Sequence, residues 1–527
     1  FAAGWHRAAG KLPTLRLANL VALKHPMSVD SYVQNTLPGA KGILIRLIGG
    51  ENYWSYGLLQ VQDFARRHGI ALAVLPADGR ADAALDGYST LPVSTLRRLS
   101  ALCDAGGAVA AQAALAQLAL AAGLYAGPVP GDKHVPACGW YDPDRGVIPA
   151  PEVSDVVIAF YRSYLTAADT DPVDALIRGF RAKGYQAHGV FVPSLKAPEA
   201  GAFLQGAWRQ VAPAAILNAT AFSARDEAGA TPLDSPGCPV FQVALSTARR
   251  RDWVASERGL SPADLAMHVV LPEVDGRLFA GVVSFKSPGR RDPDLQFSRF
   301  AHRADPGRVA AAVDRVTGWL RLAAAPVAKR KLAVVLSTYP GRPDQIAHAV
   351  GLDAIASTEA MLGTLAEAGY AVQAQAGVAR RLGHEVLHWP IESYRASFAL
   401  LSEGLQADVL AAWGAPESDP AVQDQVFRFF AFRAGDAIVA LQPERGHVAA
   451  REGDYHDLSR SPCHGYLAFY LCLQSQGLAA LIHIGAHGTV EWLPGKSVAL
   501  SAACWPEVLT GGLPVIYPFI VNDPGEA

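Results

Sequence analysis

Between Tyr455 and Glu526 the chain gathers His456, Asp457, Cys463, His464, His483, His487, Glu491, Asp523 and Glu526, with Lys496 close by. Imidazole and carboxylate together can hold a borderline divalent ion such as Co²⁺, and a neutral His or an ionised Glu can also accept a proton. The spacing fits no zinc hydrolase: HExxH is absent, and the His483/His487 pair has no Glu beside its first member. Spacing alone therefore supports a metal or acid/base site and no particular reaction.

Placement sharpens this. The run LAALIHIG (478–485) reads as a buried strand, and Gly485 and Gly488 flank His487 just after it. His487 and Glu491 then sit on the loop at the strand's carboxyl end, where open α/β sheets bind ligands. The glycines let backbone approach a flat ligand, and Trp492 offers an aromatic face for stacking. His483 lies inside the strand and is either a satisfied core histidine or a ligand. Lys496 follows the Pro494-Gly495 turn and is either a solvated ammonium or a substrate contact. A second constellation, STYPGRPDQIAHAVGLD (337–353), places Tyr339, Arg342 and His348 after another strand. Its arginine could pair bidentately with a carboxylate, or the stretch is an ordinary strand-to-helix connection. No GxxxxGK[ST] phosphate loop occurs, which argues against ATP hydrolysis by this chain.

Three stretches supply the elements that must position these groups, each a short β-branched run, an amphipathic helix and another apolar run. The first is GILIRLIGG (42–50), a helix through Leu58 to Arg67 closed at Gly69, and IALAVLP (70–76). The second runs from SDVVIAFY (154–161) through a helix opened by Asp171-Pro172 to QAHGVFVPS (186–194), with further strands at 214–222 and 239–245. The third opens at KLAVVLSTYPGRP (331–343), with a helix beginning at Ser357-Thr358 and ending before Gly369. The expected class is multidomain α/β, several βαβ-built, mostly parallel sheets with flanking helices. Pro, Gly and charge concentrate at 127–151 and 323–331, giving expected domains of 1–130, 150–327 and 328–527.

At 527 residues the chain exceeds a single core. Half the residues are apolar and 18% charged, the profile of a folding chain. A net charge of -2 gives no field for nucleic acid or an anionic membrane. The Arg249-Arg250-Arg251 run reads as a solvated loop. Six cysteines without CxxC spacing argue against a zinc ribbon and a disulfide framework, and suggest reduced thiols in the cytoplasm. The apolar stretch at 107–127 is Ala-rich and broken by Gln112 and Gln117, so it reads as a buried or amphipathic helix rather than a membrane span. The chain opens on Phe1 without Met or signal peptide and closes on NDPGEA, as if cut at both ends.

LRLANLVALKHPMSVD (15–30), PVFQVAL (239–245), the YPGR-to-VGLD loop, YHDLSRSPCHGYLAFY (455–470), HIGAHGTVEWLPGKSVALSAACWPE (483–507) and YPFIVNDPGE (517–526) resemble, in order, the large CobN-type subunit of aerobic cobaltochelatase, which is similar in turn to the large subunit of magnesium chelatase. The resemblance implies a large tetrapyrrole-binding subunit of an ATP-dependent enzyme that inserts Co²⁺ into hydrogenobyrinic acid a,c-diamide during cobalamin synthesis. It implies separate AAA+ ATPase subunits as partners, which would use ATP and Mg²⁺ that this chain does not bind. Carried over residue by residue, it implies His483, His487 and Glu491 as catalytic and metal-binding groups, and His456, His464, Trp492, Lys496, Tyr339, Arg342, Asn522 and Glu526 as substrate contacts.

Cys463, Ala486 and Thr338 depart from the family pattern at positions where a histidine, a longer or polar residue and an asparagine are expected. Family members run well beyond this length, so a fragment without activity of its own is expected. EWLPGK and LANLVALKHPMS favour the cobalt branch over magnesium insertion into protoporphyrin. A non-catalytic tetrapyrrole-binding scaffold is the alternative of another class.

Overall fold

The computed structural model describes residues 1–77, 81–131, 134–337, 346–347, 351–446, 457–485 and 490–518. Its strands are assembled into three sheets. The first pairs β1 (Gly42–Leu47) with β2 (Ala71–Pro76) in parallel, joined through helix Ser55–His68. Gly69 closes that helix in the left-handed region at φ 62°, where a Cβ would be strained. Leu58, Val61, Phe64 and Ala65 recur at helical spacing and are buried against Leu72 and Val74. The Ala-rich run forms helix Gly107–Ala121, mostly buried, and no helix among the described residues is long and apolar enough to cross a membrane.

The second sheet uses β3 (Gly139–Asp142), β4 (Gly146–Ile148), β5 (Val156–Tyr161), β6 (Ala187–Val192), β7 (Ala215–Asn218), β8 (Val240–Ser246), β9 (Leu278–Asp292) and β10 (Phe297–Ala304). Their order is β10-β9-β8-β7-β5-β6-β3-β4. The middle, from β9 to β6, is parallel, whereas both flanks are antiparallel. Helix Pro306–Ala324, capped by the Asp305 side chain on Arg308 N, packs Val309, Ala312, Val313 and Val316 against this sheet.

The third sheet contains β11 (Leu332–Leu336), β12 (Val386–Pro390), β13 (Val422–Gln423), β14 (Val426–Ala434), β15 (Ala437–Leu441), β16 (Ala480–Ile484) and β17 (Val515–Ile516). Its order is β12-β14-β15-β11-β16-β17, with β13 on β14. From β15 to β17 all pairs are parallel, and the β12 to β15 flank is antiparallel. The mostly parallel α/β expectation holds, with parallel sheet centres and antiparallel flanks on the two larger sheets. The helix expected to begin at Ser357 starts at Ala354, where the Asp353 carboxylate accepts from Ala356 N. The Arg249 to Arg251 run, expected as a solvated loop, opens helix Arg250–Ala255, with Arg250 on Asp305 at 2.6 Å. All six cysteines are unpaired, with Cys472 and Cys504 buried.

Candidate functional site

Four adjacent parallel strands, β15, β11, β16 and β17, point their carboxyl ends the same way. Leu336, Leu441 and Ile484 stand in register at that edge. Each strand runs on into a stretch singled out by the sequence: β11 toward Tyr339 and Arg342, β15 toward His456, β16 toward His487 and Glu491, and β17 toward Asn522 and Glu526. Strand order reverses at β11, with β15 on one side and β16 on the other, the position at which doubly wound sheets open a crevice. Tyr339, Arg342, His348, His456, His487, Asn522 and Glu526 lie outside the described residues.

Alternation along β16 sends Leu481 and His483 to the face covered by helix His464–Ser475, and Ala480, Ile482 and Ile484 to the other. His483 is 4% exposed, and the Tyr470 hydroxyl lies 3.2 Å from its Nε2. Gln442 donates to that same hydroxyl at 2.6 Å, so the three side chains form one buried chain of hydrogen bonds. Burial pulls the His483 imidazole down to about 4. It is therefore neutral at physiological pH and needs to lose no proton before offering a nitrogen lone pair.

Past β16, Val490–Trp492 forms a single 3₁₀ turn that presents Glu491 on its exposed side and anchors Val490 in the core. His483, Glu491, Trp492, Lys496 and Tyr517 share a cavity of about 650 Å³. Its opposite wall comes from the second sheet: Phe279 to Val282 of β9, and Arg308, Ala311 and Arg315 of helix Pro306–Ala324. That volume lies within the roughly 300–1,000 Å³ of small-molecule sites. Among the described residues no three His, Cys, Asp or Glu side chains gather closely enough to hold a metal ion.

Two sequence-predicted residues have their polar atoms engaged by the fold, one away from the cavity and one on its wall. His464 is fully buried and absent from the cavity wall. Its Nε2 donates to Gly414 O at 3.0 Å, and the Tyr394 hydroxyl donates to its Nδ1 at 2.5 Å. Both nitrogens are satisfied, so it organises the core beneath the site. Tyr394→Phe is expected to cost roughly 1–3 kcal/mol, the penalty for an unsatisfied buried acceptor, read as a lower urea midpoint.

Lys496 lines the cavity, but its ammonium donates to Val254 O at 3.0 Å and Ser256 O at 2.6 Å and stands 5.2 Å from the Trp253 ring. It is a tether to the second sheet's helix Arg250–Ala255. The tether continues residue by residue: Ser497 N to Glu257 O, Val498 N to Arg258 O, and Ala499 O to Trp253 Nε1 at 3.0 Å. At the other end, Gly495 packs so closely on Cys504 that an added Cβ would lie 2.8 Å from the Cys504 Cβ.

Sequence reasoning missed Arg445, which follows β15. It is 2% exposed and donates to Trp492 O at 3.0 Å, Arg460 O at 3.0 Å and Asp457 O. One guanidinium thereby fixes the turn carrying Glu491 to the segment following His456. It also missed Arg308, Arg315 and Glu507, which meet across the interface between the second and third sheets. No local pattern marks them, because only the docking of the sheets brings them together.

Two buried histidines set an acid limit. His302, on β10, is pulled down to about 4 by burial, as His483 is. An unfolded chain takes up protons on both near the ordinary value of about 6.5, whereas the folded chain resists until about pH 4. Stability is thus fully present above pH 6.5 and is lost as pH falls toward 4. Urea titrations at pH 7.5 and pH 5 are expected to differ by roughly 2 kcal/mol per histidine, from about 1.4 kcal/mol per pH unit. His302→Phe is expected to shrink the difference by the share of that one histidine, roughly 2 kcal/mol.

A family model described as CobN/Magnesium Chelatase matches residues 108–527. The aerobic cobaltochelatase subunit CobN of Sinorhizobium sp is 38% identical, across 97% of this chain and 43% of that protein. A magnesium-chelatase subunit of Rhodobacter capsulatus is 28% identical across 73% of this chain and 34% of that protein. The solved catalytic subunit of cobaltochelatase from Mycobacterium tuberculosis superposes with a TM-score of 0.74 at 28% identity, covering 100% of this chain and 45% of that one. This chain therefore spans less than half the length of these relatives, and it belongs to the CobN/magnesium chelatase family.

Proposed function

We propose that this chain carries the cavity in which a large chelatase subunit inserts Co²⁺ into hydrogenobyrinic acid a,c-diamide, with Co²⁺ as substrate. The observation that carries the reading is the shared cavity: a neutral buried imidazole, His483, and the carboxylate of Glu491 open onto one space with Trp492 as a flat wall. Metal insertion needs a base for the ring N–H protons and ligands for an ion shedding water. Glu491 accepts the ring proton, while His483 and His487 receive the metal. Tyr339, Arg342, His456, Asn522 and Glu526, which follow β11, β15 and β17 in sequence, are carried over from the family motifs as further substrate contacts.

The cobalt branch is favoured over magnesium because the cobaltochelatase relative matches 97% of the chain and the magnesium-chelatase relative 73%. The stretches 1–130, 150–327 and 328–527 form its domains. Separate AAA+ ATPase subunits drive insertion, in keeping with the absence of a GxxxxGK[ST] loop. The test is tetrapyrrole binding followed by fluorescence. Hydrogenobyrinic acid a,c-diamide is expected to bind at least tenfold more tightly than protoporphyrin IX. The reverse order would move the chain to the magnesium branch, and binding of neither ring would remove the proposal.

A further inference from the structure

Two guanidinium groups share the cavity with His483 and Glu491. Arg308 and Arg315 lie seven residues, two turns, apart on helix Pro306–Ala324, so both leave the same face. One carboxylate serves them both. Arg308 Nη1 donates to Glu507 at 2.5 Å and to Leu500 O at 3.0 Å. Arg315 Nη1 donates to Ala280 O, but its Nη2 stands 3.8 Å from Glu507, outside hydrogen-bond reach.

Among the described lining residues the cations are Arg308, Arg315 and Lys496, and the anions Glu491 and Glu507. The Lys496 ammonium is committed to Val254 and Ser256. Arg308 and Arg315 pair with one carboxylate, Glu507, so that cluster taken by itself carries one more positive than negative charge. Much of the remaining wall is apolar, including Phe279, Val282, Ala311 and Val515. Burial already pulls the Arg315 guanidinium below its ordinary value, a sign that its charge is under-compensated.

We propose that Arg308 and Arg315, held in place by Glu507, form an anion subsite that takes a peripheral carboxylate of the macrocycle. The inference rests on the tetrapyrrole reading of the cavity and adds the recognition element. A planar guanidinium with free edges pairs bidentately with a carboxylate, and the low-polarity wall strengthens the pair. Fixing an edge of the ring on the second sheet's wall sets the ring's orientation toward Glu491 and Trp492 on the other. The subsite therefore reads acid against amide or ester at one ring position.

The experiment measures binding of hydrogenobyrinic acid a,c-diamide and of its methyl ester to the full chain. The free acid is expected to bind roughly tenfold more tightly, the effect of one charge-assisted pair. Arg315→Met is expected to remove that preference while leaving ester affinity unchanged. Glu507→Gln, which leaves both cations unneutralised, is expected to raise acid affinity several-fold and serves if the arginine variant does not fold. Equal binding of acid and ester by the unaltered chain, or an equal loss of both in Arg315→Met, would overturn the subsite and leave ring binding intact. Binding of neither form would instead overturn the tetrapyrrole reading itself.

Discussion

Glu491→Gln is expected to lower cobalt insertion by at least about a hundredfold while leaving corrinoid affinity within a factor of two, because glutamine keeps the size and loses the base. General-base contributions run from roughly 10² to 10⁴ in rate. The substitution removes the carboxylate, while Val490 in the core and Arg445 on the Trp492 carbonyl still hold the turn. Its neighbour in the cavity, His483, is neutral and buried, and a strand fixes its direction. It cannot follow a proton-accepting path open to solvent as an exposed carboxylate can. The measurement is insertion by the complete subunit reconstituted with its ATPase partners, alongside fluorescence quenching by the ring alone. Unchanged insertion would remove Glu491 from the mechanism, and lost quenching would make it a binding group instead.

The parallel cores were legible because their sequences carry a period. VVIAFY and LAVVL are continuous apolar runs, as strands buried on both faces require, and β5 and β11 sit at the centres of their sheets. The antiparallel flanks were not legible. β9 and β10 pair across register shifts, and β12 meets β14 although nearly forty residues separate them in sequence. The long connection from β12 to β14 leaves no local turn signature, whereas the four residues from Pro293 to Gln296 join β9 to β10 in a short hairpin that lies outside the βαβ spacing. At the site, the reading of the segment after β16 drew on its glycines and its position; Glu491 lines the cavity, while His487 lies outside the described residues.

His464 and Lys496 show the limit of the same reasoning. Residue type marks both as capable of chemistry. Which partner satisfies them depends on Tyr394, seventy residues away, and on Val254 and Ser256, some 240 away. Arg445 was invisible for the complementary reason: a single arginine after a strand looks like surface until the three carbonyls it gathers are seen together.

Those carbonyls connect position to rate. The Glu491 turn is held from one side by Arg445. From the other it continues through Leu493 and Gly495 into the tether at Lys496 to Ala499, which is seated on the second sheet. A displacement of the second sheet against the third would reach Glu491 through that tether unless Arg445 resisted it. Arg445→Met keeps the apolar stem and removes the donors, leaving the Trp492, Asp457 and Arg460 carbonyls without this partner. Insertion is expected to fall by roughly 10²-fold, the size of effect a displacement of about 1 Å produces at a catalytic group. Stability is expected to fall by about 2–4 kcal/mol for the lost buried network. Arg445→Lys restores a charge but not the fork, and is expected to recover stability more than rate. A rate that tracks stability equally in both variants would make Arg445 a packing residue only. A rate loss persisting in a lysine variant of near-native urea midpoint would establish it as the residue that aims the Glu491 turn.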